Sequence, residues 1–143
     1  MKNLAILIAI LLSLYAFSEE AEEGKKGRVG PGKAVIEATE KDGLKLSEKA
    51  LLNLELEFVT VTKTQSLVIP SAAIVEFQDF SAIYRERAGW LKMVEITPVI
   101  RDKMAHFSSK DILPGDRIVT KNSGFIRFID LDVFGPEGDA CAD

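Results

Sequence analysis

Residues 44–63 read LKLSEKALLNLELEFVTVTK, and a few residues later the chain continues as VIPSAAIV over residues 68–75. The first stretch changes its hydrophobic period twice. Leu44 and Leu46 alternate with Lys45, the pattern of a half-buried strand. Ser47 followed by Glu48 marks a helix N-terminus: the hydroxyl can accept from an amide one turn on, and the Glu48 charge suits the positive end of the helix dipole. Ala50 stands where a full capping box would carry Glu or Gln, so a short helix is expected, with Ala50, Leu51 and Leu54 on one face. Leu54, Leu56 and Phe58 then alternate, after which the β-branched set shifts phase to Val59 and Val61. Such a slip is what a bulge or a helix-to-strand junction produces.

Upstream, residues 33–39 predict a strand, and Asp42-Gly43 carries the signal of a tight turn. Downstream of Ser66 the pattern is all β. Residues 67–69 are closed by Pro70, which cannot donate to a ladder and so suits an edge or a turn. Residues 73–75 and 82–84 flank a loop at Gln78-Asp79, and Arg85-Glu86-Arg87 extend the second of these strands. Ala88-Gly89 turns the chain, and residues 90–100 return it with Val94, Ile96, Pro98 and Ile100 on one face. Arg101-Asp102-Lys103 predicts a further turn and residues 104–107 a further strand. Leu113-Pro114-Gly115-Asp116 has Pro and Gly at the two central positions of a type II turn. Residues 117–120 and 125–129 are expected to finish the sheet, with Asp130 and Asp132 as its solvated end. About six to eight short strands, tight turns and one short helix describe a mainly β domain, a small antiparallel barrel or sandwich.

The remaining segments bear on compartment. Met1-Lys2-Asn3 precedes an apolar run of 14 residues, 4–17, broken only by Ser13, and Glu19, Glu20, Glu22 and Glu23 follow. This reads as a secretory signal peptide, residues 1–18, cleaved after Ser18. The run is shorter than the roughly 17–25 residues of a spanning helix, although an uncleaved copy would act as a membrane tether. The absence of a cysteine near the cleavage point argues against a lipoprotein anchor. Residues 19–32, glycine-rich with Lys25-Lys26-Gly27-Arg28, are expected as a flexible linker, residues 33–132 as a single domain and residues 133–143 as a disordered tail. Cys141 is the one cysteine, so the chain holds no intramolecular disulfide. Stability must come from the core alone.

A formal charge of −4, with Lys25-Lys26-Gly27-Arg28 as the one dense basic run, argues against a nucleic-acid partner. No serine can be tied by motif to His106, the one histidine, and no glycine-rich phosphate loop joins a strand to a helix, so no enzymatic activity is expected. His106 lies in a strand near Met104 and lacks the converging ligands of a metal site; no cofactor or small-molecule substrate is inferred. Binding to a protein is better supported. Phe77 and Phe80 flank an irregular loop, and Trp90 sits at a hairpin tip beside Arg85, Arg87 and Lys92. Phe77 and Trp90 can cap the ends of a barrel, and Phe80 is the ring expected to be exposed. Phe80, Arg85, Arg87 and Trp90 are the candidate partner-binding residues, an aromatic and cationic mixture typical of interface anchors.

Taken in order, residues 68–74, Ile83-Tyr84, the Gly89 hairpin, Thr97-Pro98-Val99 and residues 112–119 resemble the membrane-proximal, carboxyl-terminal domain of the periplasmic adaptor (membrane fusion) subunits of tripartite efflux pumps. Residues 44–50, with Asn53-Leu54 and residues 57–61, resemble the segment that in the heavy-metal branch precedes a long middle section. The resemblance covers residues 44–130. It implies that both segments form one small barrel, a circularly permuted Src-homology-3-like fold. It also implies that the lipoyl-like domain, helical hairpin and second β-barrel of the family are missing between Lys63 and Ile69. Glu55, Ile100-Arg101 and Asp111 stand where the family carries glycine, which narrows the backbone choices there. The implied function is that of a periplasmic accessory or split subunit docking on an inner-membrane resistance-nodulation-division pump or a full-length adaptor. The alternative is a free-standing periplasmic binding module, or a degenerate adaptor remnant, without pump contact.

Overall fold

The structure, a computed structural model, describes residues 28–63 and 66–135. The signal segment, most of the linker and Cys141 lie outside the described residues. The chain runs β1 (Val35–Thr39), β2 (Gly43–Leu46), α1 (Glu48–Asn53), β3 (Glu57–Thr60), β4 (Leu67–Pro70), a 3-10 turn at Ser71–Ala73, and β5 (Val75–Glu76). It continues through β6 (Ser81–Arg87), β7 (Trp90–Ile96), β8 (Val99–Arg101), β9 (Met104–Phe107), β10 (Arg117–Lys121) and α2 (Ser123–Phe134). The short helix forms where expected: the Ala50 amide donates to Ser47 Oγ at 3.2 Å.

A mainly β, antiparallel domain is what the sequence leads one to expect and what is observed, but its strands form two sheets and no closed barrel. The large sheet is ordered β1-β2-β7-β6-β10-β3, with β5 paired to the start of β6, and the small sheet is β4-β9-β8. β1 and β3 are the two ends of the large sheet and do not pair with each other. Beyond Thr60 the backbone of Val61 turns to the Pro114-Gly115 turn, donating to Asp116 O at 2.8 Å and accepting from Gly115 N at 2.9 Å. These bonds extend the β3–β10 pairing beyond Thr60.

Successive residues of a strand face opposite sides, and here both sides of the large sheet are covered. On one side Ile83, Val94, Ile96 and Ile118 pack with Leu67, Ile69, Ala105 and Phe107 of the small sheet. On the other, Leu44, Tyr84, Leu91 and Val119 pack with Ala50 of α1 and Ile126 and Val133 of α2. Residues 44–61 and 67–121 therefore share one core. Val59 stands opposite Ile118 and Phe58 opposite Val119 across the β3–β10 ladder, and Val61 joins the first cluster.

Residues 125–129, expected as a strand, are instead part of α2, the second helix. Ile126 and Val133 are buried with Ile129 packed against the same cluster, a helical spacing along one face. Asn122 enters α2 with a left-handed φ of 62° and donates from Nδ2 to Leu54 O at 2.9 Å, tying its start to the end of α1. The helix runs two residues past Asp132, the expected end of the domain, and Val133 is buried. At the other boundary Val29 bridges to Val35 and Arg28 Nη1 donates to Asp132 Oδ1 at 2.6 Å, so the last linker residues lie against the domain. No helix of the described residues is long and apolar enough to cross a membrane.

Candidate functional site

The β6–β7 hairpin positions most of the candidate residues. Ala88 and Gly89 both take positive φ, 51° and 85°, the geometry of a two-residue hairpin turn whose twist matches its strands. That turn sets Arg87 opposite Trp90 and Arg85 opposite Lys92. All four side chains share one side of the sheet, that of Ile83 and Val94. Farther along, Ile83 and Val94 are covered by the small sheet; at the level of Arg85 that cover ends, leaving a cleft of about 500 Å³. The turn between β1 and β2 and the loop after β9 form its walls.

Five cations, Lys41, Arg85, Arg87, Lys92 and Lys110, line this cleft with two carboxylates, Asp42 and Asp111, whereas the Glu95 side chain lies on the other side of β7. Their partners differ sharply. Arg87 donates from Nε and Nη2 to the two oxygens of Asp116, each at 2.7 Å, and from Nη2 to Asp111 O at 3.1 Å. Its hydrogen bond to Asp116 raises the Arg87 pKa. Burial alone would raise the Asp116 pKa. The bonds from Arg87 and from the Leu113 amide, with the charges of Arg87 and Arg85, hold it below the ordinary carboxylate value instead. Leu113 and Gly115, where φ is +93°, form the turn the sequence leads one to expect, and it delivers Asp116 to this ion pair.

Arg85 has no such partner. It is only 7 % exposed, and its Nε is buried without a hydrogen-bond acceptor among the described residues. Burial, followed by the charge of Arg87, lowers its pKa; Asp116, Asp111 and Asp42 act on it through space only. Lys92, the residue directly across, is a like charge, an arrangement that disfavours the sheet. Lys92 Nζ donates to the Lys41 carbonyl, which ties the cleft wall to the hairpin.

The four candidate residues are therefore not one patch. Arg85, Arg87 and Trp90 lie together, with Trp90 half-buried and Lys45 Nζ 5.7 Å from its ring centroid. Phe80 precedes the opposite end of β6, about 17 Å from Arg85 at the rise of an extended strand. Its ring is half-buried, stacked on Phe77 at 4.4 Å, and Arg127 covers Phe77 at 4.3 Å. Phe80 belongs to the packing of that stack more than to an open surface. His106 stands on β9 between Val68 and Val99, and no group of three potential metal ligands occurs among the described residues. Asp130, expected at a solvated strand end, accepts from Tyr84 Oη at 3.1 Å; burial raises its pKa, with the Tyr84 bond opposing. Lys41, Lys110 and Asp111 entered the site only through tertiary structure. Compared with known proteins, the chain matches no family model, no curated protein and no solved structure.

Proposed function

We propose that this chain is a non-catalytic, periplasmic docking module of a tripartite efflux system of the heavy-metal branch, acting as an accessory or split subunit that contacts an inner-membrane pump or a full-length adaptor. The observation that carries the reading is the interlocking of the two segments that resemble the adaptor domain. β2 pairs with β7 and β3 with β10, so residues 44–61 complete a sheet built from residues 67–121, as the resemblance requires of segments flanking an omitted middle. Glu55 adds support. It takes a left-handed φ of 48° at a position where the family carries glycine, the residue that such backbone favours.

The docking surface is the outer end of the β6–β7 hairpin, where Trp90 offers an amphipathic ring and Lys92 offers positive charge to an acidic partner, beside Arg87, which Asp116 holds in place. Trp and Arg are the residue types that most often anchor interfaces. The test is co-purification of the exported protein with a resistance-nodulation-division pump of the same cell. Trp90→Ala should weaken association by about 1 kcal/mol or more, and Lys92→Glu should act mainly on association rate and salt dependence. If the wild-type protein associates with neither pump nor adaptor, the free-standing binding module replaces this reading.

A further inference from the structure

We propose that the cleft beside Arg85 is a binding site for a small oxyanion ligand, one that presents a phosphate or carboxylate group to the Arg85 guanidinium. This goes beyond the docking reading and does not depend on it. Three observations converge. First, Arg85 is 7 % exposed, with a buried Nε that no described residue satisfies. A buried N–H donor left without an acceptor is costly, and a water, ion or ligand outside the chain can complete it. Second, the neighbours compound the positive charge. Lys92 is directly opposite, and Lys41 and Lys110 face the same space. Third, the available carboxylates do not neutralise it: Asp116 is already held by both Nε and Nη2 of Arg87.

The cavity also has the dimensions for a ligand. About 500 Å³ lies within the range of small-molecule sites and exceeds what one water or one chloride would fill. The planar guanidinium can offer parallel N–H groups to two oxygens of one phosphate or carboxylate. Lys92 and Lys110 then supply point charges to the rest of the molecule. Asp42 and Asp111 on the lining provide acceptors for hydroxyl groups. A compact oxyanion that also carries a hydroxyl group fits this arrangement.

The experiment is a titration of the purified protein, followed by two-dimensional NMR at constant ionic strength, with inorganic phosphate, with citrate and with chloride. Saturable shifts localised to residues 85, 87, 92 and 110 with phosphate or citrate, absent with chloride, are expected. Which of the two binds tells phosphate from carboxylate. Arg85→Met should weaken the binding by about tenfold or more, as expected for loss of a charge-assisted hydrogen bond. Lys92→Met, which leaves Arg85 in place, should weaken it to a lesser degree and serves if Arg85→Met does not fold. Equal responses to all three anions, or undiminished binding by Arg85→Met or, where that variant does not fold, by Lys92→Met, would overturn the proposal. Because no pump is present, its failure is separate from failure of the docking reading.

Discussion

Adjacent residues on β6 meet opposite fates on the two sides of the large sheet. On the helix side Glu86 is satisfied: Oε1 accepts from the Gly89 amide at 2.6 Å, and Oε2 accepts from Arg117 Nε. Arg117 in turn lies over the Phe58 ring at 4.5 Å. On the other side Arg85 is as well buried as Glu86, yet its Nε has no acceptor among the described residues, and a lysine faces it. A polar group whose bonds close within the fold serves the fold. One whose bonds remain open costs stability and points to a ligand, because a buried unmade hydrogen bond is penalised more heavily than a made one is rewarded.

The largest effect is expected in the core on the Arg85 side of the sheet. Ile118 is fully buried and stands opposite both Val59 and Arg85. Ile118→Ala should cost about 2–5 kcal/mol in urea denaturation, and a cost below about 1 kcal/mol would mean that β10 is not packed beneath the small sheet. Next in size is Glu86→Ala, which strands the Gly89 amide and Arg117. A loss of about 1–3 kcal/mol is expected at pH 7, measured the same way.

A smaller effect separates the paired cation of the cleft from the unpaired one. The Asp116 pKa is depressed in the fold, so its contribution is fully present above the ordinary carboxylate pKa near 4 and is lost as pH falls through the folded value. Asp116→Asn should be less stable than wild type at neutral pH and should show a flatter acid limb, with the two curves converging at low pH. Parallel curves would show that the Arg87–Asp116 pair carries no linkage. Smallest is Glu55→Gly: relief of the left-handed φ, less the added chain entropy of glycine, should gain about 0.5–1 kcal/mol. A loss instead would show that the Glu55 side chain has a role of its own.

Much of this comparison could be read from the order of residues, and the part that could not has a physical reason. Once Ala88-Gly89 is taken as a two-residue turn, counting outward pairs Arg87 with Trp90 and Arg85 with Lys92. Both the shared face and the like-charge clash follow. Ser47 as a cap and Pro114-Gly115 as a turn were legible for the same reason, since local chemistry decides them. Residues 125–129 were not. Phe125, Ile126, Phe128 and Ile129 satisfy a helical period as well as a short strand, and the choice was made by a sheet face that needed a cover. In the helix Ile126 is buried there, while Phe125 and Phe128 remain 53 % and 70 % exposed. The cleft walls were hidden too, because Lys41 and Lys110 reach Arg85 only through the folded topology. Phe80 misled for the converse reason: its stacking partner, Phe77, lies three residues earlier, but Arg127 on the far side of that stack comes from α2.

The central claim is that Arg85 is kept for binding and is no part of what holds the fold together. Urea denaturation of Arg85→Met beside wild type at pH 7, without added phosphate or citrate, tests it most directly. Methionine keeps much of the apolar bulk and removes the uncompensated charge, so the midpoint should be unchanged or higher, as when buried charges give way to apolar side chains. A loss of about 2 kcal/mol or more would show that Arg85 is satisfied within the fold and would contradict the account.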